Sequence, residues 1–300
     1  MEMAEASGIT LVEEPLNPWK ATSTGVGEMI LDAVQKGRRK FIIGIGGSAT
    51  TEGGIGMLSA LGYDFMDENG DRLSPVFDSL EKVVQIKNNR VPEVLKDCHF
   101  QIACDVTNPL CGARGCVYVF GAQKGVKEEE KESMDRAMQS YAACLEKFTG
   151  KKLSEIPGTG AAGGLGFAFL WGLPNVELKP GIDIVLEAVG LTNELKDADV
   201  VVTGEGCLDF QTAMGKVPVG VAKTAKNYNC KVIAFAGSVT EEAKNCNEKG
   251  IDAFFSILPG VCSLDEAMDT ETAQKNMRNA AEQVFRLILA CGKEKSSLHP

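Results

Sequence analysis

Histidine is nearly missing from this 300-residue sequence: His99 and His299 are the two present, the second almost at its end. Catalytic triads built on an imidazole base therefore have little material. Paired cysteine motifs are missing too. Cys98, Cys104, Cys111, Cys116, Cys144, Cys207, Cys230, Cys246, Cys262 and Cys291 are scattered without one C-x-x-C spacing, which removes the usual zinc and dithiol motifs and leaves free, buried thiols in a reducing compartment as the expectation. There is no basic surplus. A net charge of −10 and a pI near 4.9 give no electrostatic footprint for nucleic acid or anionic lipid. A bilayer span needs roughly 20 apolar residues, and the most apolar stretch, Ala161 to Leu173, is glycine-rich and closed by Pro174. The opening Met1 to Glu5 is polar and acidic, unlike a secretory leader. The expectation is a cytoplasmic protein with no nucleic-acid or membrane partner. Two phosphate-transfer signatures are absent as well: Gly215-Lys216 is followed by Val217, so no G-x-x-x-x-G-K-[ST] loop exists, and Asp209-Phe210 runs on to Gln211 with no H-R-D elsewhere.

What is present is a 44% apolar, 24% charged chain in which strand-like apolar runs alternate with stretches of helical period. This predicts an α/β protein with a mainly parallel sheet. Strands are predicted over 41–45, 100–104, 117–120, 200–203, 232–236 and 253–257. Helices are predicted over 27–36, 54–61, 128–148, 163–171, 184–189, 217–226 and 265–290. The βα rhythm of the last third is Rossmann-like. A boundary near Pro180-Gly181 divides the chain into residues 1–181, a mixed α/β domain, and 182–300, the Rossmann-like one. The polar tail from Gly292 onward is predicted to fray.

Four loops carry chemistry. The first, Gly44 to Gly56 (GIGGSATTEGGIG), joins a strand to a helix, so its backbone N–H groups and the helix N-terminus form a natural anion site. A glycine turn capped by Thr51 or Glu52 is the plainer reading, but the loop holds a surplus of polar side chains in Ser48, Thr50, Thr51 and Glu52. Glu52 conflicts with a bound phosphate, because like charges about 4 Å apart repel by about 4 kcal/mol at an effective dielectric of 20. It must face a metal ion or a substrate hydroxyl, or lie outside the phosphate shell. The second loop, Pro157 to Gly166, lets backbone approach a ligand or another backbone closely through Gly160, Gly163 and Gly164. The third, Thr203 to Gln211, sets Glu205, Asp209 and Gln211 beyond a strand end, where open α/β sheets bind ligands. The fourth, Cys104 to Leu110, puts Asp105 and Asn108 at a strand end, or forms an Asx turn before Pro109. Gly44-x-Gly46-x-x-Ala49 also satisfies the loose dinucleotide fingerprint.

Taken together the loops resemble the bacterial-type glycerate kinase family (class I glycerate 2-kinases). The resemblance is carried by IIGIGGSATTEGG (42–54), ACDVTNPLCG (103–112), VFGAQKG (119–125), PGTGAAGGLG (157–166), PGIDIVLEAVGL (180–191), VVTGEGCLDFQTAMGKVPVGVAKTAK (201–226) and GIDAFFSILPG (250–260). These run in the family's order from Met1 to about Leu289. The resemblance implies transfer of the ATP γ-phosphoryl group to D-glycerate with Mg2+, and two unlike α/β domains whose cleft closes to exclude water. The family's opening segment, with its D-S-[FY]-K and A-D-G-G-E-G-T motifs, does not occur here, so a truncated product or a Rossmann-like domain without its first strands is expected. Thr51-Glu52 stands where the family usually has Asn-Asp, and Cys207 where it has arginine, removing a cation that could pair with carboxylate or phosphate.

The resemblance makes Asp209 or Asp105 the carboxylate that orients or deprotonates the glycerate hydroxyl. It makes Glu205 and Glu52 candidates for magnesium or substrate hydroxyls. Ser48, Thr50, Lys216 and the amides of Gly46, Gly47, Gly160, Gly163 and Gly164 are candidates for phosphate or carboxylate, with Thr51, Asn108 and Gln211 beside them. Lys124 lies in a family block and reads equally as a surface lysine. Two other functions stay open: a non-catalytic remnant that binds ligand or a full-length partner or does not fold alone, and a nicotinamide-dependent hydroxy-acid oxidoreductase; a homo-oligomer stays open as well.

Overall fold

The computed structural model describes residues 1–293; the tail predicted to fray and His299 lie largely outside them. The chain forms two compact units, Met1–Ile184 and Val185 onward. In the first, β1 (Lys40–Gly44), β4 (His99–Ala103) and β5 (Val176–Lys179) form a parallel sheet in the order β1-β4-β5, and β2 (Asp64–Met66) pairs antiparallel with β3 (Gln85–Lys87). The central strand β4 alternates buried Phe100 and Ile102 with less buried neighbours. Phe41 of β1 stacks on Phe100 at 4.8 Å between ring centroids, a cross-strand aromatic pair that fixes register.

Helices α1 (Ala4–Ser7), α2 (Thr24–Gln35), α3 (Ile55–Ala60), α4 (Cys116–Phe120), α5 (Lys131–Thr149) and α6 (Leu165–Gly172) complete this unit. Its core gathers Phe65, Phe77, Phe100, Tyr141, Phe167, Phe169 and Trp171. Residues 1–9 run beside the end of β1: the N–H of Met3 donates to the Gly44 carbonyl at 2.9 Å, and that of Ile9 to Gly47 at 2.9 Å. The first loop is therefore held from outside by the start of the chain. α7 (Gly181–Ala188) follows β5 and spans the unit boundary.

The second unit is a parallel sheet, β6 (Val200–Leu208), β7 (Lys231–Val239) and β8 (Ala253–Ser256), in sequential order. Around it lie α8 (Leu191–Glu194), α9 (Phe210–Ala213), α10 (Val217–Lys226), α11 (Leu264–Met268) and α12 (Thr270–Lys293). Small side chains dominate its core, among them Ala222, Ala225, Ala234, Ala236 and Ala243.

The α/β class and the parallel sheets are as the sequence predicts. Three assignments change. Residues 117–120 are helix α4, not a strand, with Val117 buried and Val119 exposed; a four-residue apolar run does not distinguish the two periods. The helix predicted over 265–290 is broken at Asp269, whose backbone is extended and whose Oδ2 accepts from the Thr272 N–H at 2.9 Å to cap α12. Strands β2, β3 and β5 go unpredicted because they are short and polar residues such as Asp64, Gln85 and Glu177 leave no apolar run to mark them. The thiols are free as expected, and Cys98, Cys104, Cys116, Cys230 and Cys246 are buried.

Candidate active site

The carboxyl ends of β1 and β4 open into a cavity of about 450 Å³ in the first unit, lined by Gly46, Gly47 and Ser48 after β1, by Asp105 after β4, and by Lys124. This is where an open parallel sheet places a ligand. Gly46 presents its α-carbon to open space, and Gly47 has φ of +70°. Asp105 is exposed, and its Oδ1 accepts from the Gly181 N–H at 2.9 Å, which fixes the carboxylate at one oxygen.

Lys124 is the residue that sequence reasoning undervalued. It follows α4 in a short helical turn closed by Gly125 at φ +92°, and it is 3% exposed. Its Nζ donates to Ser48 Oγ at 2.7 Å and to the Thr50 carbonyl at 2.6 Å. Burial pulls its pKa from 10.5 down to about 8, while the neighbouring Cys116 and Glu52 oppose the fall. The signal in the sequence is a lone lysine bracketed by Gly121 and Gly125 after an apolar run; its burial becomes visible once residues 116–120 form a helix.

The structure sets Thr50, Thr51 and Glu52 of the first loop apart from the lining of the cavity. Glu52 is fully buried. Its Oε1 accepts from the Ser23 N–H at 2.7 Å, Ser23 Oγ at 2.5 Å and the Gly56 N–H at 3.2 Å, and its Oε2 from the Gly54 N–H at 3.0 Å. Ser23 Oγ in turn accepts from the Met57 N–H at 2.9 Å. The α3 N-terminus, expected to receive an external anion, is filled by the chain's own carboxylate, which ties the starts of α2 and α3 together. Burial raises the Glu52 pKa, and these hydrogen bonds work against that rise. Thr50 is buried and its Oγ1 lies 3.5 Å from the Ala162 carbonyl. The Thr51 hydroxyl is buried without a hydrogen-bond partner.

The second loop packs backbone on backbone. A Cβ on Gly163 would lie 2.1 Å from the Thr50 carbonyl oxygen, one on Gly164 2.7 Å from Gly53 Cα, and one on Gly160 2.2 Å from the Pro109 carbonyl oxygen. The Gly53 N–H donates to the Gly163 carbonyl at 2.9 Å. Asn108 serves its own turn: Nδ2 donates to the Arg114 carbonyl at 2.8 Å, and its carbonyl accepts from Gly160 at 3.0 Å.

In the second unit, Glu205, Asp209 and Lys216 meet around Thr212. Thr212 Oγ1 donates to Glu205 Oε1. Asp209 caps α9 by accepting from the Thr212 N–H at 3.0 Å and lies 3.6 Å from Lys216 Nζ. The Thr212 backbone hydrogen bond, more than Lys216, lowers the Asp209 pKa. Gln211 is exposed on α9. Glu205 also lines a second, largely apolar cavity of about 620 Å³ along the middle of β6 and the second half of β7, with Gly204, Phe235, Gly237, Met268 and Met277. No group of three histidine, cysteine or carboxylate side chains suited to a metal occurs among the described residues, and none of their helices is long and apolar enough to cross a membrane.

A two-unit α/β protein whose parallel sheet opens at its carboxyl edge into a cavity lined by a lysine and a carboxylate defines a class of small-molecule enzyme. The comparison with known proteins narrows it: the family model of the glycerate kinase family matches residues 1–289, and the chain belongs to that family. It is 43% identical to a glycerate kinase of Haemophilus influenzae over 96% of this chain and 76% of that protein. It is 44% identical to a glycerate 2-kinase of Escherichia coli over 89% and 70%. A crystal structure described as a glycerate kinase 2 of Salmonella typhimurium LT2 matches with a TM-score of 0.83 and 41% identity, covering 97% of this chain and 76% of that one.

Proposed function

We propose that this chain is a glycerate kinase, transferring the γ-phosphoryl group of ATP to a hydroxyl of D-glycerate. One observation carries the reading beyond family membership: the cavity of the first unit brings a carboxylate, Asp105, and a buried ammonium, Lys124, to the same small space beside glycine backbone. A three-carbon hydroxy acid needs such a pair, a carboxylate to accept a hydroxyl proton and a cation for its charge. Asp105 holds one oxygen on Gly181 and keeps the other for the acceptor hydroxyl; Asp209, committed to its cap, is the weaker base.

The larger, apolar cavity beside Glu205 suits the nucleotide. Mg2+ is commonly held by one or two carboxylates and by substrate phosphates, so Glu205 and Asp209 fit it without a third protein ligand, and Glu52 does not, because both its oxygens are engaged. When bound, the ion neutralises charge on the transferring phosphoryl group. The nicotinamide alternative loses its footing, because the helix N-terminus that would face a pyrophosphate is filled by Glu52. ADP release coupled to NADH oxidation, with Mg-ATP and D-glycerate, tests the proposal. Saturable, glycerate-dependent turnover is expected; a folded chain that releases no ADP above its rate without glycerate contradicts it.

A further inference from the structure

Lys124 is a buried cation with neutral partners. A buried ammonium ordinarily finds a carboxylate or loses its proton. Here its two hydrogen bonds go to a hydroxyl and a carbonyl, and no ion pair to it occurs among the described residues. Glu52 is near enough to favour the charged form, yet its own oxygens are spent on Ser23 and the start of α3. Cys116, the other neighbour, has a thiol pushed up to about 12 by burial and stays neutral. An ammonium has three N–H groups, so one is left over, and Lys124 lines the cavity that Asp105 also lines.

We infer that Lys124, steadied by Ser48 and the Thr50 carbonyl, receives the carboxylate of the hydroxy-acid acceptor and so makes the cavity select an anionic acceptor over a neutral polyol. The inference rests on the acceptor binding in the first unit. The built arrangement supports it: the lysine is anchored at two points before any ligand arrives, which lowers the entropy lost on binding. Gly46 leaves open space beside it, so an anion can approach the backbone as well as the ammonium. The same chemistry would suit a phosphate of the nucleotide, and kinetics separates the two.

The test is steady-state kinetics of the whole chain with K124M, alongside thermal shift by D-glycerate and by glycerol without nucleotide. K124M is expected to raise KM for D-glycerate about 10- to 100-fold, the usual worth of a hydrogen-bonded charge, with a smaller change in kcat and KM for ATP within about threefold. D-glycerate should raise the melting temperature of the wild type and not of K124M, and glycerol should shift neither. Unchanged KM for D-glycerate in K124M, or a rise in KM for ATP instead, overturns the inference. A Lys124-dependent glycerate shift without turnover would keep it and remove the kinase reading; turnover with glycerate KM insensitive to Lys124 would do the reverse. Should K124M fail to fold, S48A decides: it removes one support of the ammonium at a partly exposed position, and a glycerate KM raised about 3- to 10-fold is expected, whereas an unchanged KM counts against the inference.

Discussion

Glu52 spends both oxygens on protein donors, whereas Lys124 keeps an N–H unspent, and that difference separates a structural charge from a binding one. Glu52→Gln keeps the shape but sets an amide N–H2 against one backbone donor, so a loss of about 1–3 kcal/mol in urea unfolding is expected; an unchanged midpoint would show that the clamp between α2 and α3 contributes nothing. Asp105→Asn should leave folding intact and lower kcat by 10²-fold or more, the usual share of a general base; wild-type turnover would remove it from the reaction. The pH profile follows from Lys124. Its pKa of about 8 is below the ordinary 10.5, so the cationic form binds below that value and is lost as pH rises through it. The charged or titratable groups around it are Glu52 and Cys116, with Asp105 across the cavity. Burial raises the Glu52 pKa against the pull of its hydrogen bonds and pushes the Cys116 thiol up to about 12. kcat/KM for D-glycerate should therefore fall above about pH 8 in the wild type, and this limb should be absent in K124M.

At the scale of elements, the loops after the parallel strands were legible because glycine, turn residues and polar side chains cluster there, and β1, β4, β6, β7 and β8 stood out as apolar runs. Which side chain of a loop points into a cavity was not legible. Thr51-Glu52 and Ser48 belong to one glycine stretch, yet backbone direction buries the first two and turns Ser48 to the cavity wall. Gly163 and Gly46 look alike in sequence and differ in the fold. Gly163 has φ of +66° and touches the Thr50 carbonyl, while Gly46 faces open space. Gly163→Ala should lose about 2–4 kcal/mol from backbone strain and overlap, read by denaturant unfolding. Gly46→Ala should unfold like the wild type and weaken D-glycerate binding, because its methyl group enters the cavity. Equal stability of the two variants would contradict the packing assigned to the second loop.

At the scale of the molecule, the two units bury different material: large aromatics in the first, alanine and other small residues in much of the second. Fewer buried methylenes mean less stabilisation, at about 0.8 kcal/mol for each, so opening of the second unit should begin at lower denaturant. Hydrogen exchange across a urea series reads this directly, with amides of β6 to β8 exchanging before those of β1 and β4. The chain spans 70–76% of the length of the relatives named above, and the residues proposed to hold the acceptor all fall within its first unit.

The roles of Asp105 and Lys124 turn on where the acceptor sits. The most direct measurement is a crystal structure of the chain with D-glycerate. The expected result is glycerate in the cavity at the ends of β1 and β4, its carboxylate on Lys124 and Ser48 and a hydroxyl on the free oxygen of Asp105. Glycerate bound elsewhere, with that cavity holding solvent in an active chain, would contradict the account.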